Sequence, residues 1–237
     1  MIETEIKTSN LRFPDVTAEL FLHAFKDIPL KTLVFHFREK RKVLSTREGF
    51  REVKLVAENF CPPEFWDFVH RHPREFYGGV FQSLGISEER ASFLFTGVDV
   101  ERGAFKKEGE EVLTFVTADV MNAMCAGRDT PSGKRAKAPG TINIFVFTQA
   151  ELSEAAMART LITVTEAKVE ALRALDIRSA YTPQLLATGT GTDNIVVVSG
   201  SGPRVERLRG HSRLSRLIAK AVVEATLEAV RKSMQGE

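Results

Sequence analysis

The sequence contains none of the short motifs that identify the large nucleotide-binding and hydrolase classes. GxGxxG, GxxxxGKS/T, GxSxG, HExxH and SxxK do not occur. The two cysteines, Cys61 and Cys125, form no CxxC pair and no Cys/His ligand spacing, so we expect structural thiols and no protein-bound metal. The N-terminus lacks a basic-then-apolar signal pattern, and no apolar run approaches the about 20 residues of a membrane span. We therefore expect a cytoplasmic protein without a membrane partner.

An excess of one charge is also lacking, because 33 Lys and Arg nearly balance 31 Asp and Glu and leave a net charge of +2. The balanced charge and the lack of a base-stacking motif argue against a nucleic-acid partner. A cluster of arginines around His211 still leaves an anion-binding function open as an alternative. These arginines are Arg204, Arg207, Arg209, Arg213 and Arg216.

The length and composition predict a single domain over residues 1–237. The chain has 43% hydrophobic residues, enough for a sizeable core, and no stretch has the composition of a linker. Its N-terminal half, residues 1–111, is rich in phenylalanine, and 15 of the 17 phenylalanines precede residue 116. The C-terminal half, residues 112–237, carries the polar motifs. This bias predicts a Phe-rich core on one side of a sheet.

Hydrophobic periodicity predicts strands mixed with helices. Predicted strands lie at residues 31–37, 41–44, 52–56, 92–96, 112–117 and 141–148, with charged turns separating the first three. Predicted helices lie at about residues 152–175 and 212–234, with two short helices within 64–84. A basic segment rich in Pro and Gly, residues 127–140, predicts a surface loop. The fold class is therefore α+β, a mixed β-sheet with long amphipathic helices packed on it, and a layered α/β arrangement is the alternative.

The most site-like stretch is the polar loop 187–194, which leads into four β-branched residues at 195–198. Glycines let a backbone approach another molecule closely, and hydroxyl and carboxylate groups supply hydrogen-bond partners and one charge. The loop residues that we expect to bind a ligand are Thr188, Gly189, Thr190, Gly191 and Thr192, followed by the carboxylate of Asp193.

Polar side chains elsewhere complete a set that could hydrolyse an amide. This reaction needs a base or nucleophile, an acid for the leaving amine, and donors for the oxyanion. Asp193 or Glu166 would be the base, His211 the acid, and Asn143 or the loop amides the donors. Structural roles stay open for each: Asp193 can staple its own turn, His211 can cap a helix, and Glu166 with Lys168 can be structural. We expect Glu166 to be partly buried or at the rim of a cavity.

Five motifs, in order and spacing, resemble the adenosylcobinamide amidohydrolase family. Val43–Thr46 with Gly49 adds a looser match in the first hundred residues. The five motifs are Val116-Thr117-Ala118 with Asn122-Ala123, Gly140-Thr141-Ile142-Asn143-Ile144, Thr165-Glu166-Ala167-Lys168 with Ala171-Leu172, Ala187 through Asp193, and Gly210-His211-Ser212. The chain departs from the family pattern at Asp119, where that pattern has Gly, and the change would alter a tight backbone approach or add a carboxylate to the site.

The resemblance implies an enzyme that cleaves the amide joining the aminopropanol arm to the corrin ring of adenosylcobinamide, giving adenosylcobyric acid in corrinoid salvage. The corrinoid is then the small-molecule partner, and its cobalt belongs to the substrate, so no cofactor is implied. A Phe-lined cavity with scattered donors such as Asn122, Asn143 and Lys168 would suit a large, mostly apolar ring fringed with amides. A non-catalytic corrinoid-binding protein is the alternative. The alanine-rich final helix can face its own core or a second subunit, so a homo-oligomer stays open.

Overall fold

The computed structural model describes residues 5–129 and 140–235, so most of the predicted loop at 127–140 lies outside the described residues. The strands are β1 (Glu5–Phe13), β2 (Val16–Phe25), β3 (Ile28–Ser45), β4 (Gly49–Phe60), β5 (Ala91–Thr96), β6 (Ala104–Glu108), β7 (Val112–Ala118), β8 (Ile142–Thr148), β9 (Ala150–Leu152), β10 (Asn194–Val198) and β11 (Gly202–Val205). The helices are α1 (Trp66–Arg71), α2 (Pro73–Leu84), α3 (Glu154–Ala174) and α4 (Arg213–Met234).

Nine of the described strands form a mixed, curled sheet, and β9 and β11 form a separate parallel pair. The main path of the sheet runs β1-β2-β3-β10-β8-β7-β6, while β4 pairs with β3 and with β5. Strand β10 is parallel to β8 and antiparallel to β3, and β7 is antiparallel to β8. Strand β3 belongs to the N-terminal half and β10 to the C-terminal half, so one sheet joins the two. This architecture, with helices packed on a mixed sheet, confirms the predicted α+β class.

The two faces of the sheet bury different side chains. Helices α3 and α4 cover one face through an aliphatic cluster that includes Ile144, Met157 and Val222. The other face buries an aromatic cluster whose largest members are Phe35, Phe115, Phe145 and Phe147. A third cluster, under α1 and α2, also contains phenylalanines, including Phe76 and Phe93. Phe93 alternates on β5 with Leu94 of the aromatic cluster, so the prediction of a Phe-rich core on one side of the sheet is wrong, because phenylalanines pack on both sides.

Both long helices begin at capping serines. Ser153 accepts a hydrogen bond from Ala156 N before α3, and Ser212 accepts one from Ser215 N before α4. Helix α3 follows the end of β8 and runs back along the sheet, so its last turns lie beside the starts of β8 and β10. This direction places Lys168 next to the polar loop.

Three sequence-based assignments of the first half are wrong. Residues 31–37 and 41–44 are one strand, β3, because pairing with β4 continues on both sides of an irregularity between His36 and Arg41. The charged residues 38–40 are exposed at this point and do not turn the chain. Strands β1 and β2 were not predicted, and no strand was predicted at β6.

Candidate active site

The polar motifs converge at one edge of the sheet, where β7 ends and β8 and β10 begin. We call this the motif edge. Thr117 of β7 lies beside Asn143 of β8, which lies beside Asn194 of β10. The hairpin between β3 and β4 reaches the same edge, since Thr46 hydrogen-bonds to Asn194 and accepts from Ile195 N. The looser match at Val43–Thr46 therefore lies beside the motif-bearing half.

Asp193 interlocks the polar loop with α3 and β8. Its Oδ2 lies 2.5 Å from Lys168 Nζ and accepts from Thr190 N at 3.0 Å. Its Oδ1 accepts from Thr190 Oγ1 at 2.5 Å and from Ile142 N at 3.1 Å. Lys168 is buried, and its pairing with Asp193 compensates the charge on its ammonium group. The geometry favours the structural role for Asp193, that of a staple holding the loop.

Gly189 is required for this arrangement. A Cβ atom at residue 189 would lie 2.3 Å from Asp193 Oδ2 and 2.6 Å from Lys168 Nζ. At Gly191, in contrast, a Cβ would meet only Met124 Sδ, at 3.8 Å, which is ordinary contact. The two glycines of the loop therefore differ: the first is fixed by the ion pair behind it, and the second is not.

A segment after β7 holds the other side of the loop. Met124 N donates to Gly189 O and Thr188 N donates to Met124 O, each at 2.8 Å. Ala126 N donates to Thr188 Oγ1 at 2.9 Å. Because its backbone is bonded on both sides, the loop is a preorganised surface.

The start of β8 is tied to the same loop. Thr141 Oγ1 donates to Thr192 O at 2.9 Å, and Thr192 Oγ1 donates to Gly140 O at 3.1 Å. Asn122 Nδ2 also donates to Gly140 O, at 2.9 Å. A Cβ at residue 140 would lie 2.5 Å from Asn122 Oδ1, so Gly140 permits this close packing. Four of the five motifs thus meet at the motif edge.

A groove of about 320 Å³ opens beside these loops, and we call it the aromatic groove. One wall is formed by the motif edge, and the other by the end of β5, helices α1 and α2 and the β3–β4 hairpin. Its lining residues are Arg47, Cys61, Trp66, Val69, His70, Phe76, Tyr77, Phe95, Thr96, Gly97, Val98, Gly140, Thr141, Thr192 and Asn194.

Aromatic rings and one cation give the groove its character. The Arg47 guanidinium lies over the rings of Tyr77 and Phe95, 4.7 Å from each centroid. The Trp66 ring packs on Gly97, where a Cβ would lie 2.4 Å from it. Burial, and to a lesser extent the charge of Glu64, raise the pKa of the Cys61 thiol to about 12. That thiol is therefore not a nucleophile near neutral pH.

Beneath the groove lies a buried carboxyl group that sequence reasoning missed. Glu58 Oε1 accepts from Thr117 Oγ1 and from Asn143 Nδ2, each at 2.7 Å. Burial raises the pKa of Glu58 to about 7, and these two hydrogen bonds oppose the rise. Asn143 Nδ2 also donates to Phe95 O at 3.4 Å, so both amide hydrogens of the predicted oxyanion donor face protein acceptors.

Glu166 and His211 do not join this cluster. Glu166 is exposed on α3, so the expected partial burial is wrong. Positions two apart on a helix face different directions, and Lys168 is the one that faces Asp193. His211 is exposed and lies two residues before Arg213, which pairs with Glu111 at the start of β7. His211 therefore lies at the end of the sheet where β7 begins. The motif edge is at the other end of this seven-residue strand, about 20 Å away.

The arginines around His211 are partly neutralised by carboxylates at the surface. Arg204 pairs with Glu151 and Glu206, and Arg213 pairs with Glu111. These pairs reduce the positive field that an anion-binding surface would need. At the departure from the family pattern, Asp119 Oδ1 accepts from Met121 N at 2.9 Å, so this carboxylate caps its own turn.

Among residues 5–129 and 140–235, no group of three or more His, Cys, Asp or Glu side chains is placed to hold a metal ion. None of the described helices is long and apolar enough to cross a membrane. The predicted independence from metal and cofactor is not tested by this geometry and stays a prediction.

Sequence signals for the missed residues are uneven. Arg47 lies between Val43–Thr46 and Gly49, the looser match to the family, so the resemblance included the segment that contains it. Trp66 and Tyr77 lie in the predicted short helices, but their spacing gives no indication that they face a groove. Glu58 interrupts an apolar run on β4 and lies two residues after Val56, a core residue. Residues two apart on a strand point to the same face, so this spacing indicates that the Glu58 carboxyl group points into the core.

Comparison with known proteins agrees with the motifs. The family model for adenosylcobinamide amidohydrolase (CbiZ) matches residues 20–237. An adenosylcobinamide amidohydrolase of Methanosarcina mazei is 31% identical over 188 residues, 77% of this chain and 80% of that protein. The uncharacterized protein MJ1613 of Methanocaldococcus jannaschii is 42% identical over 221 residues, 85% of this chain and 86% of that protein.

Among solved structures, the PH0078 protein of Pyrococcus horikoshii OT3 superposes with a TM-score of 0.40 at 14% identity, covering 86% of this chain and 77% of that one. The assignment does not depend on this likeness. The family match extends over nearly the whole described chain and includes the motif edge and every wall of the aromatic groove. The chain belongs to the adenosylcobinamide amidohydrolase family.

Proposed function

We propose that this protein hydrolyses the amide between the aminopropanol arm and the corrin ring of adenosylcobinamide. Water adds to the amide carbonyl, the C–N bond breaks, and adenosylcobyric acid and aminopropanol are released. The reaction would serve corrinoid salvage in the cytoplasm. The observation that carries the proposal is the convergence of four family motifs at the motif edge, where Gly140, Thr141 and Thr192 line the aromatic groove.

The groove fits part of such a substrate. Its volume of about 320 Å³ is too small to enclose a corrin ring with its side chains, so it would admit an arm and one edge of the ring. The rings of Trp66, Tyr77 and Phe95 offer apolar contact, and Thr141 and Thr192 offer polar groups for amides. In this proposal the aromatic wall binds the corrinoid and the motif edge faces the scissile amide.

The residues divide into two roles. Asp193 and Lys168 hold the loop in place, because the oxygens of Asp193 already accept four hydrogen bonds. Of the loop residues expected to bind, Gly191 and Thr192 are exposed and would meet the substrate, whereas Gly189 is buried and Thr188 and Thr190 are half-buried behind them. Preorganised polar groups of this kind stabilise developing charge without reorganising during the reaction. Cobalt enters as part of the substrate.

The direct test is mass analysis of a reaction with adenosylcobinamide, run with and without a chelator. We expect stoichiometric adenosylcobyric acid and aminopropanol in both. Binding seen as a change in the visible spectrum, without release of aminopropanol, would select the non-catalytic corrinoid-binding alternative. The saturated hydrogen bonding of Asp193 is the observation that favours that alternative.

A matched pair of arginine variants tests the groove. Arg47→Met removes the cation that lies over Tyr77 and Phe95 in the groove. A cation–π contact contributes about 1–2 kcal/mol, and loss of a groove contact of that energy should raise KM about tenfold. Arg213→Met, at the other end of the sheet, is the control and should leave KM unchanged. Equal effects of the two variants would place the substrate elsewhere.

A further inference from the structure

The strongest unexplained feature of the molecule is the carboxyl group of Glu58. It lies near the end of β4, between Leu33 of β3 and Leu94 of β5, and its exposure is 0%. A carboxylic acid in such a position is costly unless it is fully hydrogen-bonded or has a function. None of the five motifs named above includes it.

The hydrogen bonding around Glu58 is incomplete in a specific way. Oε1 accepts from both Thr117 and Asn143, whereas the buried Oε2 has no hydrogen-bond partner among the described residues. The buried Oδ1 of Asn143 likewise has no partner in this part of the chain. Two unsatisfied acceptors in one cluster mark a site where a proton can be gained.

This cluster lies directly under the aromatic groove. Asn143 follows Thr141 on the same face of β8, and it pairs in register with Asn194 of β10. Thr141 and Asn194 line the groove, and so does Phe95, whose carbonyl accepts from Asn143 Nδ2. The Asn143 amide is therefore one layer below the surface on which a ligand would lie.

We propose that Glu58 is a positioning residue that sets the orientation of the Asn143 amide beneath the groove. The proposal rests on the proposed amide hydrolysis at that groove. Ionised Glu58 accepts from Asn143 Nδ2, so the amide presents its oxygen on the other side. Protonated Glu58 can donate, so the amide turns its oxygen toward Glu58 and presents Nδ2 as a donor. In that form Nδ2 faces the layer of residues that lines the groove, and since a carbonyl under attack by water is stabilised by donors oriented toward it, the protonated form is the active one.

The local electrostatics allow both forms near neutral pH. Burial raises the pKa of Glu58 to about 7, opposed by the bonds from Asn143 and Thr117. The side chains that neighbour it in register or by hydrogen bond, Leu33, Leu94, Thr117 and Asn143, are uncharged. No charged group contributes to this rise in the pKa of Glu58. The titratable residues that line the groove, Arg47, Cys61, His70 and Tyr77, are therefore not among its causes.

The first experiment follows turnover of adenosylcobinamide against pH. We expect kcat of the wild type to fall about tenfold from about pH 6 to about pH 8, because the protonated fraction falls by that factor, with KM changing little. Glu58→Gln carries a permanent amide donor, so its kcat should stay high and flat over the same range. Glu39→Gln, an exposed control, should follow the wild type. Identical profiles for wild type and Glu58→Gln would overturn the proposal.

The second experiment is independent of turnover. The side-chain amide signals of Asn143 in a ¹⁵N NMR spectrum are assigned by their loss in Asn143→Asp and are followed against pH. We expect an inflection near pH 7 in the wild type and none in Glu58→Gln. If aminopropanol is not released, the proposed function is wrong, and this titration alone decides the role of Glu58. An Asn143 signal with no inflection in the wild type overturns the proposal even if Glu58→Gln does not fold.

Discussion

The two ends of the sheet use the same kinds of polar residue in opposite ways. At the motif edge, the Lys168–Asp193 pair is nearly enclosed, with side-chain exposures of 9% and 13%. At the opposite end, the Arg213–Glu111 pair has exposures of 72% and 39%. Water screens the second pair, so it contributes little, whereas breaking the first leaves a charge in a poorly solvated place. Burial, more than residue type, separates the candidate site from an ordinary charged surface.

The clefts at the two ends of the sheet also differ in how polar their linings are. A cleft of about 540 Å³ at the opposite end is lined largely by charged residues, including Arg38, Glu39, Lys40 and Glu52. The aromatic groove is smaller, but it combines rings with a preorganised polar wall. Ligand sites are mostly apolar with a few fixed polar groups, and this description fits the smaller groove. Variants that affect one end and not the other therefore test the assignment.

The largest effect is expected from Gly189→Ala. The added Cβ would overlap Asp193 Oδ2 and Lys168 Nζ, so these buried side-chain ends must shift and their hydrogen bonds are distorted. Overpacking and the weakened pair together should lower the free energy of unfolding by about 4 kcal/mol and sharply reduce turnover. Gly191→Ala is the matched control, since its Cβ meets only Met124 Sδ at 3.8 Å. Denaturant unfolding and turnover are measured for both variants. Equal stability of the two would contradict the role of the Lys168–Asp193 pair in holding the polar loop.

A smaller loss is expected from Asp193→Asn. The amide can keep some of the bonds to Thr190 and Ile142, but it leaves Lys168 buried without a counter-charge, at a cost of about 3 kcal/mol. Adding Lys168→Met to this variant should restore part of that stability, because the uncompensated charge is removed. Arg213→Ala at the opposite end should cost under about 1 kcal/mol. A similar loss in Arg213→Ala would show that burial does not separate the two ends.

Glu58→Gln should change stability in a pH-dependent way, by an amount no larger than the loss expected from Asp193→Asn. Between the ordinary pKa of 4.5 and the native value of about 7, the folded state binds more protons than the unfolded state. The free energy of unfolding of the wild type therefore falls as pH rises through this range, by about 3 kcal/mol in all. The variant has no carboxyl group at residue 58, so it should lack this fall and be the more stable protein at about pH 8.

The comparison must be made as a difference, because His23 acts in the opposite direction. Burial lowers the pKa of His23 to about 4, so its contribution to stability is lost as pH falls from its ordinary value of 6.5 toward 4. This slope is common to wild type and variant and cancels when the two unfolding curves are subtracted. Glu39→Gln provides the exposed control. Parallel curves for wild type and Glu58→Gln would contradict the buried, protonated state of Glu58.

The sequence predicted the long helices well because their capping serines and apolar stripes are local signals. Helix α3 was expected at about 152–175 and runs Glu154–Ala174, and α4 was expected at about 212–234 and runs Arg213–Met234. The sequence predicts two strands in place of β3 because the charged residues 38–40 resemble a turn, whereas pairing with neighbouring strands on both sides of these residues keeps the strand continuous. Pairing partners distant in sequence are not visible in a local pattern.

The candidate site shows the same limit. The polar loop, Asn143 and Lys168 were each predicted as site residues from motifs, since each motif keeps its residues together in sequence, but no motif paired Lys168 with Asp193. The aromatic wall and Glu58 come from the other half of the chain, and the curl of the sheet brings them to the motif edge. His211 carried a motif but lies at the opposite end, because α4 begins there. Shared motifs indicate family membership without indicating a shared location.

The smallest effects are expected from His211→Ala and Glu166→Gln. Both side chains are exposed, and His211 is separated from the groove by the length of the β7 and β8 strands, about 20 Å. A group must come within hydrogen-bond reach of the reacting atoms to transfer a proton, so neither variant should change kcat by more than about twofold. Turnover of adenosylcobinamide by each purified variant, beside Asn122→Ala at the motif edge, measures this difference. A large loss in His211→Ala with Asn122→Ala unaffected would move the reaction to the opposite end of the sheet, since the contrast in burial would then no longer mark the site.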